Sequence, residues 1–198
     1  GMTLGELALM INGEGWLPDS RKCDLAVIKC KNYTHQTRYQ LPIPPSPNLP
    51  NMKSIYLYPS TCFFEATPVS LGRGTSLPFQ VYGHPNMTGY NYSFTPRSIP
   101  GAKNPPQLNK LCYGVDLSNM SDEEIWKRGI DLTYVIDAYR NLNLDDHFFR
   151  PFFELLVGRD YVRKMIKEGK SADEIKAMWK GDVEKFKTQR KPYLLYEE

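Results

Sequence analysis

Hydrophobic positions recur with helical spacing near both ends of the chain and in short, strand-like runs between them, a division that predicts an α+β fold. Thr3-Leu4-Gly5-Glu6 has capping-box spacing and opens a run in which Leu4, Leu7, Ala8 and Ile11 share one face, stopped by Gly13 and Gly15. Leu25-Ala26-Val27-Ile28, brief, apolar and bounded by Asp24 and Lys29, reads as a buried strand. Five prolines between 42 and 50 exclude a helix there and require an ordered extended loop. Residues 51–66 read as helical with a break at Tyr58-Pro59. Runs at 69–71, 79–82, 92–95 and 111–117, separated by Gly, Pro and Asn, predict a small curved or barrel-like β-sheet. The last third then changes character. Ser121-Asp122-Glu123-Glu124 and Ser171-Ala172-Asp173-Glu174 are further capping boxes. The first precedes Leu132, Val135, Ile136, Tyr139 and Leu142. The second opens an apolar stripe of Ile175, Met178, Trp179, Val183 and Phe186, so a C-terminal helical layer is expected over the sheet. Tyr193-Leu194-Leu195-Tyr196 is too apolar for a free tail and is expected to dock.

At 198 residues the chain suits one domain with a sizeable core. Its 25 basic and 22 acidic side chains leave +3, with positive charge concentrated only in the C-terminal helices, so nucleic acid is not an indicated partner. No apolar run has the length of a membrane span. The cysteines, Cys23, Cys30, Cys62 and Cys112, lack metal-ligand spacing and read as small buried hydrophobes; neither a metal nor another cofactor is indicated.

The chemistry-bearing residues cluster in two places. Around Gly72-Arg73-Gly74 stand Glu65, Ser70 and Thr75, flanked by aromatics. Upstream lies a polar-aromatic run, residues 31–39, with Asn32, Tyr33 and His35. Glu65 follows Phe63-Phe64, where apolar rings disfavour the charged carboxylate; it reads as a ligand-binding or structural carboxylate, or as a proton donor. Arg73 between two glycines offers a fork of donors to a carboxylate, or is an exposed turn residue. Ser70 and Thr75 bind sugar hydroxyls or cap that turn. His35 is a polar cleft residue or a satisfied loop histidine. No serine sits in a nucleophile elbow, and for a glycosidase pair Glu65 is the one good carboxylate, with Asp116, near the end of a strand, a distant second. Thirteen tyrosines supply apolar faces with polar tips, suited to a sugar ring.

An ordered series of motifs carries a resemblance. Leu25 to Cys30 with Lys31-Asn32-Tyr33, Pro45-Ser46-Pro47-Asn48-Leu49, Phe64-Glu65-Ala66-Thr67, Ser70-Leu71-Gly72-Arg73-Gly74-Thr75, Gly83-His84-Pro85 and the closing Tyr193-Leu194-Leu195-Tyr196 resemble the bacterial exo-β-N-acetylmuramidases. That family was first catalogued as a domain of unknown function. The likeness is to the C-terminal half of a two-domain protein, and it implies that the Rossmann-like N-terminal domain, with the main catalytic glutamate, lies outside these residues. It implies glycoside hydrolysis for the parent, with release of terminal N-acetylmuramic acid from peptidoglycan fragments and an exported or periplasmic location. In this chain it implies a substrate-binding wall built from Asn32, Tyr33, His35, Glu65, Ser70, Arg73 and Thr75, with Glu65 a candidate auxiliary in catalysis. The implied partners are a peptidoglycan-derived sugar and the protein's own N-terminal domain. A non-catalytic carbohydrate-binding module or a protein-interaction domain is the alternative. Ala66 stands where the family commonly has glycine.

Overall fold

Each of the three capping boxes starts a helix. The computed structural model describes all 198 residues. Its elements in chain order are α1 (Leu4–Gly13), α2 (Met52–Thr61), β1 (Val81–His84), β2 (Tyr92–Phe94), β3 (Cys112–Asp116), α3 (Asp122–Arg128), α4 (Thr133–Leu142), α5 (Phe153–Val157), α6 (Tyr161–Lys167) and α7 (Ala172–Arg190). Thr3, Ser121 and Ser171 each accept the N–H of the glutamate three residues on. The chain divides into two compact units, residues 1–40 with 177–198, and residues 41–176. No helix is long and apolar enough to cross a membrane.

In the first unit the organising group is Glu6, a fully buried carboxylate near the start of α1. Its Oε2 accepts the Thr3 N–H at 2.7 Å and the Thr3 hydroxyl at 3.0 Å. Its Oε1 accepts the Leu195 N–H at 2.7 Å and meets His35 Nε2 at 2.9 Å. The tail therefore docks, and through polar groups as much as apolar ones. Tyr193 donates to Glu14 at 2.7 Å, the His35 N–H donates to the Glu197 carbonyl, and the Tyr196 ring meets Tyr33 edge-on at 4.8 Å.

Residues 24–29 correct the expectation of a buried strand. The segment forms no strand, and Ile28 is 93% exposed. No element of the chain runs alongside to accept its backbone groups. Cys23 and Cys30, expected inside, are exposed; Cys62 and Cys112 are buried as expected. The α7 stripe is likewise apolar but uncovered: Ile175 is buried, while Met178, Val183 and Phe186 are exposed.

The second unit holds the sheet and most of the core. β3 is central, antiparallel to both neighbours in the order β1-β3-β2. The sheet is small, curved and open rather than a closed barrel. Glycines make its β1–β3 pairing possible: a Cβ on Gly114 would stand 1.9 Å from the Tyr82 carbonyl oxygen. The predicted strand at 69–71 is reduced to a bridge between Ser70 and Gly83, and the one at 79–82 begins only at Val81. Of the helical layer expected over the sheet, α4 packs on β1, while most of α7 belongs to the first unit. Tyr82 of β1 stacks on Phe64 at 4.8 Å and donates to Asp137 of α4 at 2.8 Å, and Phe148, Phe153 and Leu132 complete a dry core.

α2 runs through Pro59 instead of breaking at Tyr58-Pro59. The proline lies in the last turn, where it removes one backbone bond to Ile55 shortly before the helix ends. The Thr61 hydroxyl donates to the Leu57 carbonyl at 3.0 Å and braces that turn. A 3-10 turn, Cys62–Ala66, follows directly.

Glu6 generates a testable stability effect. Burial alone would raise its pKa, but the N–H groups of Thr3 and Leu195, then His35 and the Thr3 hydroxyl, hold it down at about 2 against an ordinary 4.5. A carboxyl depressed on folding stabilises above its unfolded pKa, and that contribution fades as the pH falls from 4.5 towards 2. Glu6→Gln is expected to cost roughly 2 kcal/mol at pH 7, the scale of hydrogen bonds to a charged group. Urea denaturation of the two proteins at pH 7 and pH 2 should show that difference shrinking at the lower pH.

Candidate functional site

The carboxyl of Glu65 and the guanidinium of Arg73 meet in the second unit through two local devices. α2 and the 3-10 turn after it put Tyr58, Cys62 and Glu65 at i, i+4 and i+7, on one side of a nearly continuous helical path. Phe63 and Phe64 are buried on the other side and fix that orientation. Arg73 is presented by a turn whose two glycines have φ of +80° and +82°. A Cβ on Gly72 would approach the Leu77 carbonyl oxygen to 2.4 Å, and one on Gly74 would approach the Arg97 carbonyl oxygen equally closely. These glycines serve the packing of backbone on backbone, a different reason from the ligand approach that the sequence suggested.

Ser70 and Thr75 are spent on the same turn. Ser70 is fully buried, its hydroxyl accepts the Gly72 N–H at 3.4 Å, and its backbone is paired with Gly83. The Thr75 hydroxyl donates to the Gly72 carbonyl at 2.7 Å and accepts the Leu77 N–H at 3.0 Å. Of the two alternatives for these residues, sugar contact or turn capping, the geometry realises the second. Phe79 closes the loop with φ of +60°, a strained value for a bulky side chain. Its N–H donates to the Leu71 carbonyl at 2.7 Å, and its ring packs on Tyr58 at 5.0 Å.

Arg73 Nη1 lies 3.6 Å from Glu65 Oε1, an ion pair too long to be a good hydrogen bond. Both side chains are partly open to solvent, at 35% and 27%. The Arg73 Nε is buried with no acceptor. Burial raises the Glu65 pKa above its ordinary range, with Arg73 pulling it back only in part. Burial, and then the Glu65 charge, raises the Tyr58 phenol and pushes the Cys62 thiol up to about 11. The site thus has one underused cation, one carboxyl that holds a proton more readily than usual, and a phenol and a thiol kept neutral beside them.

Asn32, Tyr33 and His35 lie in the first unit. His35 is tied to Glu6 and sits against Tyr196, which makes it the satisfied loop histidine of the two alternatives. Tyr33 packs edge-on against Tyr196, and Asn32 is an exposed turn residue with φ of +56°. Asp116 accepts the Ser118 N–H at 2.8 Å and ends β3. Cys62 is missing from the predicted site because the sequence reads it, with the other cysteines, only as a small buried hydrophobe.

The second unit is thus an α+β domain that presents a loosely paired guanidinium, Arg73, beside the carboxyl of Glu65. The chain belongs to the exo-β-N-acetylmuramidase NamZ family: residues 56–196 match the model described as "Exo-beta-N-acetylmuramidase NamZ, C-terminal" and residues 1–53 the one described as "Exo-beta-N-acetylmuramidase NamZ, N-terminal". The peptidoglycan β-N-acetylmuramidase NamZ of Bacillus subtilis is 33% identical over 215 residues, an alignment covering 99% of this chain and 50% of that protein. A crystal structure of a DUF1343-family protein from Bacteroides fragilis is 82% identical with a TM-score of 0.98, covering all of this chain and 56% of that one. A second DUF1343-family structure from the same organism, 24% identical with a TM-score of 0.74, shares the fold over the same proportions. The chain therefore spans about half the length of these relatives, and its first 53 residues fall in the N-terminal family model.

The thiols offer a direct check on the site's electrostatics. Cys23 and Cys30 should react rapidly with a disulfide reagent at pH 8. Cys62 and Cys112, both held up to about 11 with burial as the largest cause, should react orders of magnitude more slowly. Glu65→Gln removes the charge beside Cys62 and should accelerate that thiol while leaving Cys112 unchanged, as followed by mass spectrometry of the labelled peptides.

Proposed function

We propose that this chain supplies the substrate-binding C-terminal part of a peptidoglycan-degrading glycoside hydrolase that releases terminal N-acetylmuramic acid from muropeptide or glycan fragments. The observation that carries this reading is Arg73: a guanidinium held by a rigid turn, 3.6 Å from its carboxylate and with its Nε unpartnered. N-acetylmuramic acid carries a lactyl carboxylate, and a planar fork of donors matches a carboxylate two bonds at a time. N-acetylglucosamine lacks that group, so the same contact separates the two sugars.

Glu65 takes a second role in this reading. A ligand carboxylate entering at Arg73 displaces Glu65 from its ion pair and sets a like charge beside it. Both effects favour the protonated carboxyl. Binding is thereby coupled to proton uptake at Glu65, which leaves a neutral carboxyl beside the sugar as an auxiliary proton donor or hydrogen-bond donor. The main catalytic glutamate is assigned to the protein's own N-terminal domain, the other partner in this reading. Family membership and the activity that names the Bacillus subtilis relative support the assignment.

The test is binding of N-acetylmuramic acid and N-acetylglucosamine by calorimetry, together with release of 4-nitrophenol from 4-nitrophenyl β-N-acetylmuramide. Both are measured on the longer Bacteroides fragilis relative and its variants at the positions aligned with Arg73 and Glu65. Arg73→Ala is expected to weaken N-acetylmuramic acid by about 10- to 100-fold, the worth of a charged hydrogen-bonded contact, and to leave N-acetylglucosamine nearly unchanged. Glu65→Gln is expected to tighten N-acetylmuramic acid and flatten the pH dependence of its binding, which otherwise strengthens as the pH falls and Glu65 is protonated. Equal affinity for both sugars in the parent, or no loss with Arg73→Ala, overturns the assignment.

A further inference from the structure

The first unit buries little of its own apolar surface. Met10 is its only buried apolar side chain, whereas Leu4 is 84% exposed, Ile28 93% and Met178 57%. Glu6, not a hydrocarbon core, holds the unit together.

The most revealing part of that surface is the run of residues 24–29, outside any helix or strand. It is pinned at both ends. The Asn12 side chain brackets Cys23, accepting its N–H at 2.8 Å and donating to its carbonyl at 2.9 Å, as a neighbouring strand would. At the other end the Cys30 N–H donates to the Tyr196 hydroxyl at 3.0 Å. Between these anchors no backbone group from Leu25 to Ile28 has a hydrogen-bond partner. One face, with Leu25 and Val27, is half-buried, and Val27 lies so close to Gly5 that a Cβ there would come within 2.5 Å of it. The other face, Ala26 and Ile28, is exposed. A run apolar on both faces with both edges bare has the makings of an interior strand in a sheet covered on each side.

We infer that residues 24–29 are a preorganised docking strand, added between strands of a β-sheet in the N-terminal domain and covered there on the Ala26–Ile28 face. The choice of occupant rests on the match of residues 1–53 to the family's N-terminal model and on relatives about twice as long as this chain. The inference sharpens the proposed partnership with that domain, but it does not depend on the hydrolytic assignment or on the Arg73–Glu65 site. Fixing both ends of the strand beforehand lowers the ordering cost of pairing.

Hydrogen exchange read by mass spectrometry tests it, with this chain and the longer Bacteroides fragilis relative measured in parallel. In this chain the amides from Leu25 to Ile28 should exchange at nearly unprotected rates, independently of protein concentration. In the relative the aligned amides should be slowed by more than about 100-fold. Unprotected amides in the relative overturn the inference. So does protection in this chain: if it grows with concentration the occupant is a second copy, and if it does not the strand is paired within the chain. Ile28→Asp provides an independent readout. It should leave the melting temperature of this chain unchanged and lower that of the relative by at least about 5 °C; equal shifts in both, or none in the relative, overturn the proposal. Sugar binding at the Arg73 site plays no part in either measurement, so the two readings fail separately.

Discussion

One buried carboxylate organises the part of the chain where its two ends meet. Glu6 lies inside the first unit with no apolar core of comparable weight around it, and its two oxygens take donors from Thr3, His35 and Leu195. Those donors come from the cap of α1, from the polar-aromatic run and from the C-terminal tail. A buried charge is costly unless every lone pair is satisfied, so the group tolerates few alternative arrangements. That makes it a specifying interaction as much as a stabilising one. His35 and Tyr33, which look like sugar ligands in the sequence, are drawn into this network and its aromatic neighbour Tyr196.

The second unit reaches rigidity by a different route. There the constraint is backbone against backbone: Gly72 and Gly74 permit approaches that no side chain would allow, and Ser70 and Thr75 satisfy the groups those approaches leave over. The turn holds Arg73 without using its charge, since none of these contacts involves the guanidinium. A cation positioned by its neighbours' backbone, and paired with Glu65 only at 3.6 Å, is available to a ligand at little reorganisation cost. Strain at Phe79 lies in the same loop and is held by its hydrogen bond to Leu71 and its packing on Tyr58.

Features governed by local chemistry were legible in the sequence. The capping boxes at Thr3, Ser121 and Ser171 and the α+β division depend on residues close along the chain or on strong side-chain preferences, whereas the burial expected of all four cysteines holds for Cys62 and Cys112 and fails for Cys23 and Cys30. Features governed by what a segment packs against were not. Pro59 reads as a breaker because its cost is local, yet it falls where a helix was about to end and Thr61 braces the turn. Ser70 and Thr75 have hydroxyls equally suited to a sugar or to a turn, and only the positive φ of Gly72 and Gly74 decides between them. Leu25 to Ile28 and the stripe of α7 have the hydrophobicity of core elements but are not core in this chain.

That last discrepancy carries physical information. A hydrophobic pattern records the surface that a segment is built to bury, wherever the covering surface resides. At α4 pattern and burial agree: Leu132, Val135 and Ile136 are buried, as their spacing requires. In the first unit pattern and burial disagree at Ile28, Met178, Val183 and Phe186 alike. In the docking-strand proposal, the surface these residues are built to bury lies outside the unit, and the bare backbone between Asn12's bracket on Cys23 and Tyr196's bond to Cys30 marks where a sheet would meet it.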